Sequence, residues 1–391
     1  MKHIFHISPD EKFINNTYYQ FEKLYPGRNT FFILVTNSTQ SLKRVTPEKE
    51  IFVYKQSGKK MEMLAEKIPE GSIVICHGLG FFRSRLINLL PPKSIPIWIV
   101  WGTEYYHNQK IIKWNQILGE KTFNHFVGKN SLERIGFTLK KRVGKLIDFL
   151  KFGEVNTEAE ILKAMRRVKH IGILYPEEFE FIKKRINIKA QYLPFSYYPI
   201  EQMVSDKEAF VTDSNILLGN SAYFTNNHLE AFEILKKLPL NNKNIITPLS
   251  YGKGDYQRKI LSIGKKELPY NFAPLVKFMP IQEYNNYILQ CGIVVMNQYR
   301  QQAVGNIMTM LWHGAKVYLD ERNSLYSYLK RIGIVVFSVK KDLLPENPNA
   351  LTLLPVEIQS ANREILRTQI GEKHLLNQLQ AGFDPLLDES K

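Results

Sequence analysis

The stretch QCGIVVMNQYRQQAVGNIMTMLWHGAKVYL, residues 290–319, decides the fold class of this chain. It opens with a short apolar run, GIVVMN, continues through a polar loop into a helical pattern, and closes on a second apolar run, AKVYL. Two short buried strands joined by an amphipathic helix make a βαβ unit, in which the strands run parallel. Such units are typical of open α/β sheets.

The same alternation of short apolar runs and helical patterns extends in both directions from this unit. Periodicity lapses within Phe195–Asp213, which we interpret as a linker. We predict seven strands before it, at 3–7, 30–35, 50–54, 72–77, 95–101, 170–174 and 190–194. Six are predicted after it, at 215–218, 244–248, 275–279, 292–297, 315–319 and 334–339.

This organisation predicts an α/β protein with two Rossmann-like doubly wound domains, 1–203 and 204–391. A length of 391 residues also exceeds what one hydrophobic core usually supports. Two such domains are expected to face a cleft at the carboxyl ends of their strands, where open α/β sheets bind ligands. That arrangement is the GT-B architecture found in many glycosyltransferases.

Composition excludes several other classes of protein. With 44% hydrophobic and 23% charged residues, the chain resembles soluble globular proteins and not disordered, collagen-like or disulfide-rich ones. Cys76 and Cys291 lie in apolar runs, which predicts buried thiols in a reducing compartment. No stretch approaches about 18 uncharged apolar residues, so we expect no membrane span. The N-terminus is too polar for a signal peptide, which predicts a cytoplasmic protein.

Positive charge is concentrated in the first half of the chain. Residues 1–200 contain 32 Lys and Arg against 18 Asp and Glu, whereas residues 201–391 contain 21 against 19. This excess predicts a polyanionic partner, either nucleic acid or an anionic membrane surface. Nucleic acid is disfavoured because no recognised binding motif is present.

A basic amphipathic helix is predicted over Ser131–Phe152. Apolar residues recur at helical spacing from Leu139 to Leu150, and Lys and Arg flank them. Such a helix can lie in an anionic lipid interface, or it can cover a protein core and expose its basic side to water. The candidates for membrane contact are Lys140, Lys141, Arg142, Lys145, Leu146 and Phe149.

Three loops of the second half follow predicted strands and offer groups that bind phosphate. Arg300 can place its guanidinium on two phosphate oxygens, and a helix starting near Ala303 presents unpaired N–H groups to the same spot. Ordinary strand-to-helix turns also explain these loops, and neither a dinucleotide glycine fingerprint nor a Walker A ending is present. The candidate binding residues are Gly219, Asn220, Ser221, Lys253, Arg300, Gln301, Gln302, Gly305 and Asn306.

Two residues of the first half are candidates for the catalytic base. Glu104 follows the strand IPIWIVW among aromatic residues, a setting that raises the pKa of a carboxyl group. His77 ends the strand SIVICH, and either residue also fits a structural role. The sequence has no Asp-x-Asp pair and no His or Cys cluster at metal spacing, so we predict neither a metal nor another cofactor.

Five segments together resemble the TDP-N-acetylfucosamine:lipid II N-acetylfucosaminyltransferases of enterobacterial common antigen synthesis, also called the 4-alpha-L-fucosyltransferase family. They are CHG at 76–78, WGTEYY at 101–106, LGNSAYFTNNH at 218–228, TPLSYG at 247–252 and the stretch 290–319. The resemblance is strongest from Gly219 to Leu319, and it is loose before Ser72.

This resemblance implies a GT-B glycosyltransferase, peripheral on the cytoplasmic face of the bacterial inner membrane. It would move N-acetylfucosamine or a similar deoxyhexose from a nucleoside-diphosphate donor, TDP-linked in this family, to an undecaprenyl-diphosphate-linked saccharide. Membrane contact then becomes the favoured use of Ser131–Phe152. The family more often has Asp at the position of Glu104, and Gly-Ile at the positions of Ala303 and Val304.

Other functions stay open from the sequence. The same fold is compatible with GDP-fucose or another nucleotide sugar, in capsule or O-antigen synthesis. A non-catalytic basic module that binds polyanions or lipid is a second alternative. A nicotinamide-dependent oxidoreductase is disfavoured by the missing glycine fingerprint.

Overall fold

The computed structural model describes residues 2–37, 41–139, 143 and 158–388. These residues divide into two compact units, each built on one parallel sheet. The first unit takes its described residues from Met1–Ile112, Lys140–Pro199 and Glu372–Lys391, and the second from Lys113–Leu139 and Ile200–Gly371.

The first unit contains a seven-stranded sheet in the order β3-β2-β1-β4-β5-β6-β7. The order reverses between β1 and β4, so the carboxyl ends of these two strands mark the position at which open α/β sheets bind ligands. The strands are β1 Ile4–Pro9, β2 Asn29–Val35, β3 Ile51–Lys55, β4 Ile73–His77, β5 Ile95–Ile99, β6 His170–Ile173 and β7 Gln191–Pro194. The helices are Ile14–Leu24, Gly58–Lys67, Phe81–Leu89, Thr103–Tyr106, Glu158–Arg167, Pro176–Ile186 and Glu372–Leu387.

The second unit contains a six-stranded sheet in the order β10-β9-β8-β11-β12-β13, which reverses between β8 and β11. Its strands are β8 Ile216–Leu218, β9 Ile245–Pro248, β10 Phe272–Leu275, β11 Ile293–Met296, β12 Lys316–Leu319 and β13 Phe337–Ser338. Its helices are Trp114–Ile117, Glu120–Phe126, 131–139, Ile200–Met203, His228–Leu235, Gly254–Glu267, Ile281–Leu289, Val304–Trp312, Ser324–Arg331 and Val356–Ile370, with a 3₁₀ turn at Phe224–Asn226.

The central strands are buried because helices cover both faces of each sheet. Every residue of β4, β8, β11 and β12 is buried, as expected for parallel strands with near-continuous apolar sequences. Cys76 on β4 and Cys291 before β11 are buried free thiols, as predicted. Burial raises the pKa of each thiol to about 12, so neither is a ready nucleophile at neutral pH.

The two predicted parallel sheets are confirmed, with one strand misplaced. We predicted a strand at 275–279, but β10 spans Phe272–Leu275. Pro274 lies inside it, which the sheet tolerates because β10 is an edge strand and one of its sides needs no N–H donor. Val276 and Phe278, whose apolar character suggested the strand, are exposed surface residues.

The units differ from the predicted contiguous division into 1–203 and 204–391. The chain passes from the first unit to the second at Pro199–Ile200, close to the predicted boundary, but the last helix, Glu372–Leu387, belongs to the first unit. Its Leu379 and Phe383 are buried in one cluster with Ile4 on β1. An apolar helix face fits many cores, so its periodicity did not identify which sheet it covers.

The first part of the predicted helix Ser131–Phe152, up to Leu139, belongs to the second unit. Residues 131–139 are helical, and Leu132, Ile135, Leu139 and Val143 are all more than half exposed. No helix among the described residues has the length and apolar character needed to cross a membrane. The six predicted membrane-contact residues, Lys140, Lys141, Arg142, Lys145, Leu146 and Phe149, lie outside the described residues.

Candidate functional site

In the second unit, polar loops leave the carboxyl ends of β8 and β11 side by side, since these strands pair in parallel. Gly219 follows β8 with φ 66°. A Cβ atom at this position would lie 2.9 Å from both Asn226 Oδ1 and His228 Nε2, so the close approach and the left-handed backbone both require glycine. The local geometry therefore explains why the predicted loop begins with a glycine.

Asn226 shapes this loop from inside. Its fully buried side chain accepts from Asn220 N at 3.1 Å and from Gln298 Nε2 at 2.7 Å, and its Nδ2 donates to Ser221 O at 2.9 Å. Gln298 follows β11, so one amide group ties the exit of β8 to the exit of β11. Ser221 is 4% exposed and lies within this bonded loop.

Asn227 makes the second connection between the strand exits. It adopts φ 51°, a left-handed conformation that asparagine tolerates better than most residues. Its Nδ2 donates to Asn297 O at 3.1 Å and its Oδ1 accepts from Gly119 N at 2.9 Å, while Asn297 Nδ2 donates back to Asn227 O at 3.2 Å. These bonds hold the exit of β11 in a fixed position.

Arg300 joins this framework through a chain of side chains. It is 7% exposed, and its guanidinium donates to Gln301 O at 3.0 Å and to Thr225 Oγ1 at 3.4 Å. Thr225 Oγ1 donates to Gln302 Oε1 at 2.7 Å, and Gln302 Nε2 donates to Asn220 Oδ1 at 2.8 Å. The structure thus brings the predicted residues Arg300, Gln302 and Asn220 together, and it adds Thr225.

The remaining predicted residues lie around this chain. Lys253 has an exposed side chain, and its backbone N donates to Ala222 O at 2.9 Å, which packs its loop on the loop from Gly219. Gly305 is exposed in the first turn of the helix Val304–Trp312. Asn306 Nδ2 donates to Tyr284 Oη at 3.5 Å, so that side chain is directed to the helix Ile281–Leu289.

The helix Val304–Trp312 begins where the sequence predicted, but through a strained residue. Ala303 is its N-terminal cap and has φ 58°. The left-handed conformation places an alanine Cβ close to a carbonyl oxygen and costs about 1–2 kcal/mol per residue, whereas glycine takes it freely. The strain lies between Gln302 and the helix start, within the predicted phosphate-binding segment.

His228 is a buried residue that sequence reasoning did not assign. Its Nδ1 lies 2.8 Å from Tyr256 Oη, and its Nε2, beside Gly219, has no hydrogen-bond partner among the described residues. Burial lowers the pKa of His228 to about 3, so the ring is neutral at pH 7. The motif LGNSAYFTNNH contained this signal, since its histidine starts the helix after the glycine loop.

A cavity of about 470 Å³ opens beside the exits of β11, β12 and β13. Tyr299 and Arg322 line it, with the guanidinium 3.2 Å from the ring centroid, and Arg322 also makes two 2.7 Å bonds to Asp320. This volume falls in the range of small-molecule sites. Sequence analysis missed it because its walls come from chain segments as far apart as Glu120 and Pro345.

In the first unit, Glu104 lies just past β5 in a helical turn. Its Oε1 accepts from Trp98 Nε1 at 2.8 Å and from Trp101 N at 2.9 Å. Desolvation raises the pKa of Glu104 above its usual value, although these two bonds and the nearby Arg83 oppose the shift. A carboxylate with a raised pKa is a stronger proton acceptor near neutral pH, as a general base requires.

His77 ends β4 and is fully buried, with both ring nitrogens engaged. Its Nε2 lies 3.2 Å from His6 Nδ1, and its Nδ1 lies 3.0 Å from Tyr197 Oη. Burial and Arg83 lower the pKa of His77 to about 3, so it is a weak base. Of the two candidates, the geometry and the pKa shifts therefore favour Glu104.

Arg83 and Tyr197 complete this first-unit cluster and were missed in the sequence. Arg83 Nε donates to Gly78 O at 2.7 Å, and its guanidinium lies 5.4 Å from the ring centroid of Trp101. Trp101 Nε1 in turn donates to Tyr197 Oη at 2.7 Å. Arg83 followed the quoted CHG motif by only a few residues, whereas Tyr197 gave no local signal.

Residues 164–350 match the sequence model of a family described as 4-alpha-L-fucosyltransferase, glycosyl transferase group 56. This match covers just under half of the chain, and over that segment the chain is similar to the 4-alpha-L-fucosyltransferase family. The resemblance predicted from the motifs is confirmed, and so is the enzyme class. As a glycosyltransferase, the chain uses a nucleotide-sugar donor and a saccharide acceptor.

Solved structures of similar fold span the whole chain. A UDP-forming alpha,alpha-trehalose-phosphate synthase from Burkholderia xenovorans matches with TM-score 0.63 and 10% identity, covering 100% of both chains. A trehalose-6-phosphate protein from E. coli bound with UDP-2-fluoro glucose matches with TM-score 0.63 and 8% identity, covering 98% of both. A glycosyltransferase from Rickettsia africae matches with TM-score 0.59 and 10% identity, covering 100% of both. The predicted GT-B fold is confirmed.

A protein metal site needs several ligating side chains close together. Among the residues that the structure describes, no group of three or more His, Cys, Asp or Glu is placed to hold a metal ion.

Replacing Ala303 by glycine is expected to stabilise the second unit by about 1 kcal/mol, because glycine relieves the left-handed strain. Urea unfolding followed by tryptophan fluorescence measures the change. Ala361→Gly, at an exposed position inside the helix Val356–Ile370, is the matched control and should cost about 1 kcal/mol. Equal losses in both variants would show that Ala303 is not strained.

Replacing Glu104 by glutamine is expected to make stability less dependent on pH. Since folding raises the pKa of Glu104, the stability contributed by its protonated form is present below the unfolded pKa, near 4.5, and is lost as pH rises through the folded pKa. Glutamine keeps the accepting Oε1 but cannot ionise. The free energy of unfolding of Glu104→Gln, relative to wild type, should therefore increase from pH 4 upward.

The control for this measurement is Glu104→Asp, which keeps an ionisable carboxyl group at this position. It should retain a pH dependence of the wild-type sign. Parallel stability profiles for wild type and Glu104→Gln would contradict the raised pKa.

Proposed function

We propose that this glycosyltransferase moves an N-acetylamino-deoxyhexose such as N-acetylfucosamine, or fucose, from a TDP-linked donor to a lipid-diphosphate-linked saccharide. The acceptor lipid is undecaprenyl diphosphate, and the product serves bacterial surface polysaccharide synthesis, in enterobacterial common antigen. The family match supports the type of sugar. The observation that carries the donor assignment is the bonded chain Arg300–Thr225–Gln302–Asn220 at the exits of β8 and β11.

In this proposal the second unit binds the donor diphosphate. The guanidinium of Arg300 and the N-terminal N–H groups of the helix Val304–Trp312 offset the negative charge that develops on the departing diphosphate as its bond to the sugar breaks. Gln301, Gln302 and the loop from Gly219 to Ser221 add polar contacts, and the exposed Lys253 adds a positive charge. Gly305 leaves space for close approach, since a Cβ atom there would meet no neighbour within 4 Å.

The first unit binds the acceptor in this proposal. Its hydroxyl attacks the anomeric carbon of the donor sugar, and Glu104 takes the hydroxyl proton. The raised pKa of Glu104 and its fixed position between Trp98 and Trp101 support this role. Transfer needs no metal or other cofactor in this scheme, because the cationic and amide donors supply the charge stabilisation.

We also propose that the protein works at the cytoplasmic face of the inner membrane, with an anionic lipid surface as partner. Leu132, Ile135, Leu139 and Val143 recur at helical spacing and are 81%, 55%, 52% and 55% exposed. This apolar stripe is not used to cover a core within the described residues. In the sequence, Lys140, Lys141 and Arg142 lie between the last two residues of the stripe and Lys145 follows it, which favours an anionic interface.

A donor panel tests the proposed chemistry. TDP should raise the thermal unfolding temperature more than UDP or GDP, and Arg300→Ala should abolish that shift. In transfer assays with TDP-N-acetylfucosamine and a lipid-diphosphate saccharide, read by mass spectrometry, Arg300→Ala should lower turnover by about 10²–10³-fold. Glu104→Gln should transfer slowly while it keeps the TDP shift.

The outcomes of this assay separate the alternatives. A larger shift with GDP would replace the proposed nucleotide, and a lack of any nucleotide-sugar transfer would favour the non-catalytic polyanion-binding module. Full turnover in Arg300→Ala would remove this residue from the donor site, and full turnover in Glu104→Gln would assign the base elsewhere.

The exposed stripe gives a separate prediction for the membrane. The double variant Leu132→Ser/Leu139→Ser should bind phosphatidylglycerol-containing vesicles at least about tenfold more weakly in a sedimentation assay, because it removes two large apolar side chains from the interface. Leu353→Ser/Val356→Ser changes two other exposed apolar residues of the same unit and is the matched control. Equal binding by both double variants would contradict the stripe as the contact.

A further inference from the structure

The first unit has a cavity of about 570 Å³ that the proposed function does not use. It lies at the amino edge of the seven-stranded sheet, opposite the edge that carries Glu104 and His77. Its lining residues stand at or just before the starts of β1, β4, β5, β6 and β7. They are Lys2, Gly71, Pro92, Lys93, Ser94, Ile95, Lys169, His170, Lys189 and Gln191.

The charge of this cavity is positive. Four lysines line it, and no acidic side chain is among the described residues that do so. Lys93 Nζ lies 4.0 Å from the Glu70 carboxylate, and Lys2 Nζ donates to Leu386 O at 3.1 Å. Like charges gathered in one concave site raise the local potential and attract anions. Part of the basic excess of the first half is therefore concentrated in a cavity.

Ser94 adds a hydrogen-bonding group to the wall. It is only 3% exposed, and its Oγ has no hydrogen-bond partner among the described residues. Its backbone N–H is already bonded to Pro91 O at 3.1 Å, which fixes the residue in its turn. A buried hydroxyl without a partner is uncommon and costs stability, so a ligand oxygen that accepts from Ser94 would restore the missing bond.

The pKa of His170, which lines the cavity, should respond to a bound anion. Burial, together with the positive charge of Lys169, lowers the pKa of His170, so its ring is neutral in the free protein at pH 7. A negative charge in the cavity would act in the opposite direction and raise that pKa. The ring is therefore a local reporter that is independent of the donor site.

We propose that this cavity is an anion-binding site for a phosphate-bearing ligand, held by Lys2, Lys93, Lys169 and Lys189, with Ser94 Oγ donating to a phosphate oxygen. The ligand is either a free phosphorylated molecule or the headgroup of an anionic lipid, since both present the same group. The site lies on a different unit from the proposed diphosphate-binding residues around Arg300. Either assignment can fail without the other.

Inorganic diphosphate is the probe for the site. Titration of the full chain, followed by NMR of the His170 ring signal and assigned by its absence in His170→Gln, should show a saturable shift and a raised pKa of His170. The double variant Lys93→Gln/Lys189→Gln should weaken this binding by about tenfold or more. Lys59→Gln/Lys184→Gln removes the same charge from exposed positions of the same unit and should bind as wild type does.

Four outcomes decide the proposal. An unchanged His170 signal at millimolar diphosphate overturns it, and so does equal weakening in both double variants, which would reflect net charge alone. If phosphatidylglycerol vesicles, but not phosphatidylcholine vesicles, displace diphosphate from His170, the result supports a lipid headgroup as the natural ligand. If diphosphate shifts His170 and neither vesicle displaces it, the result supports a free phosphorylated molecule.

Discussion

Two consecutive buried asparagines, Asn226 and Asn227, hold together the strand exits on which the second unit's candidate site depends. A buried loop must find partners for its backbone N–H and C=O groups, and the loops after β8 and β11 find many of them in these two amides. Asn226 bonds to residues at both exits, and Asn227, on the loop after β8, bonds to Asn297 after β11. Because of these bonds, neither loop can shift without breaking contacts to the other. This framework also determines the position of Arg300, because Arg300 lies only three residues after Asn297 in the sequence.

In the first unit, burial changes the pKa values of the candidate residues. In the second unit, neutral amide side chains hold the candidate site together. Glu104 is held by an indole N–H and a backbone N–H, both of which stabilise its carboxylate, yet desolvation is the largest influence and raises its pKa. His77 is buried more deeply and has lost its basicity to the same cause. Two titratable groups at neighbouring strand ends thus acquire different roles from their surroundings alone.

The sequence predicted the features that follow from the order of strands, loops and helices along the chain. The exits of β8 and β11 could be placed because a parallel sheet brings the carboxyl ends of neighbouring strands to one edge, and Asn220, Gln302 and Arg300 do meet there. Thr225 completes their contact from the far end of the loop. Neither periodicity nor a motif identifies Thr225, because its contacts form only in the folded chain.

The same limit explains the misassigned elements. The helix Glu372–Leu387 has an unmistakable apolar face, but only the folded chain shows that Phe383 meets Phe21 edge to face at 5.0 Å in the first unit. We expected a strand only from Leu275, whereas β10 includes Pro274 because its edge position tolerates a residue without an N–H donor. In each case the sequence indicates a local conformation, and tertiary contacts determine where that element lies in the fold.

Ala303 shows how the framework and the site constrain each other. An alanine in the left-handed region would relax if either neighbour could move, and such strain persists only where the surroundings determine the backbone from both sides. Gln302 is held by Thr225 and Asn220 on one side, and Ile307 N bonds back to Ala303 O at the helix start on the other. The strained residue therefore fixes the direction from which the helix Val304–Trp312 presents its N–H groups beside Arg300. Glycine at this position would give the same entry without the strain but with a less restricted backbone.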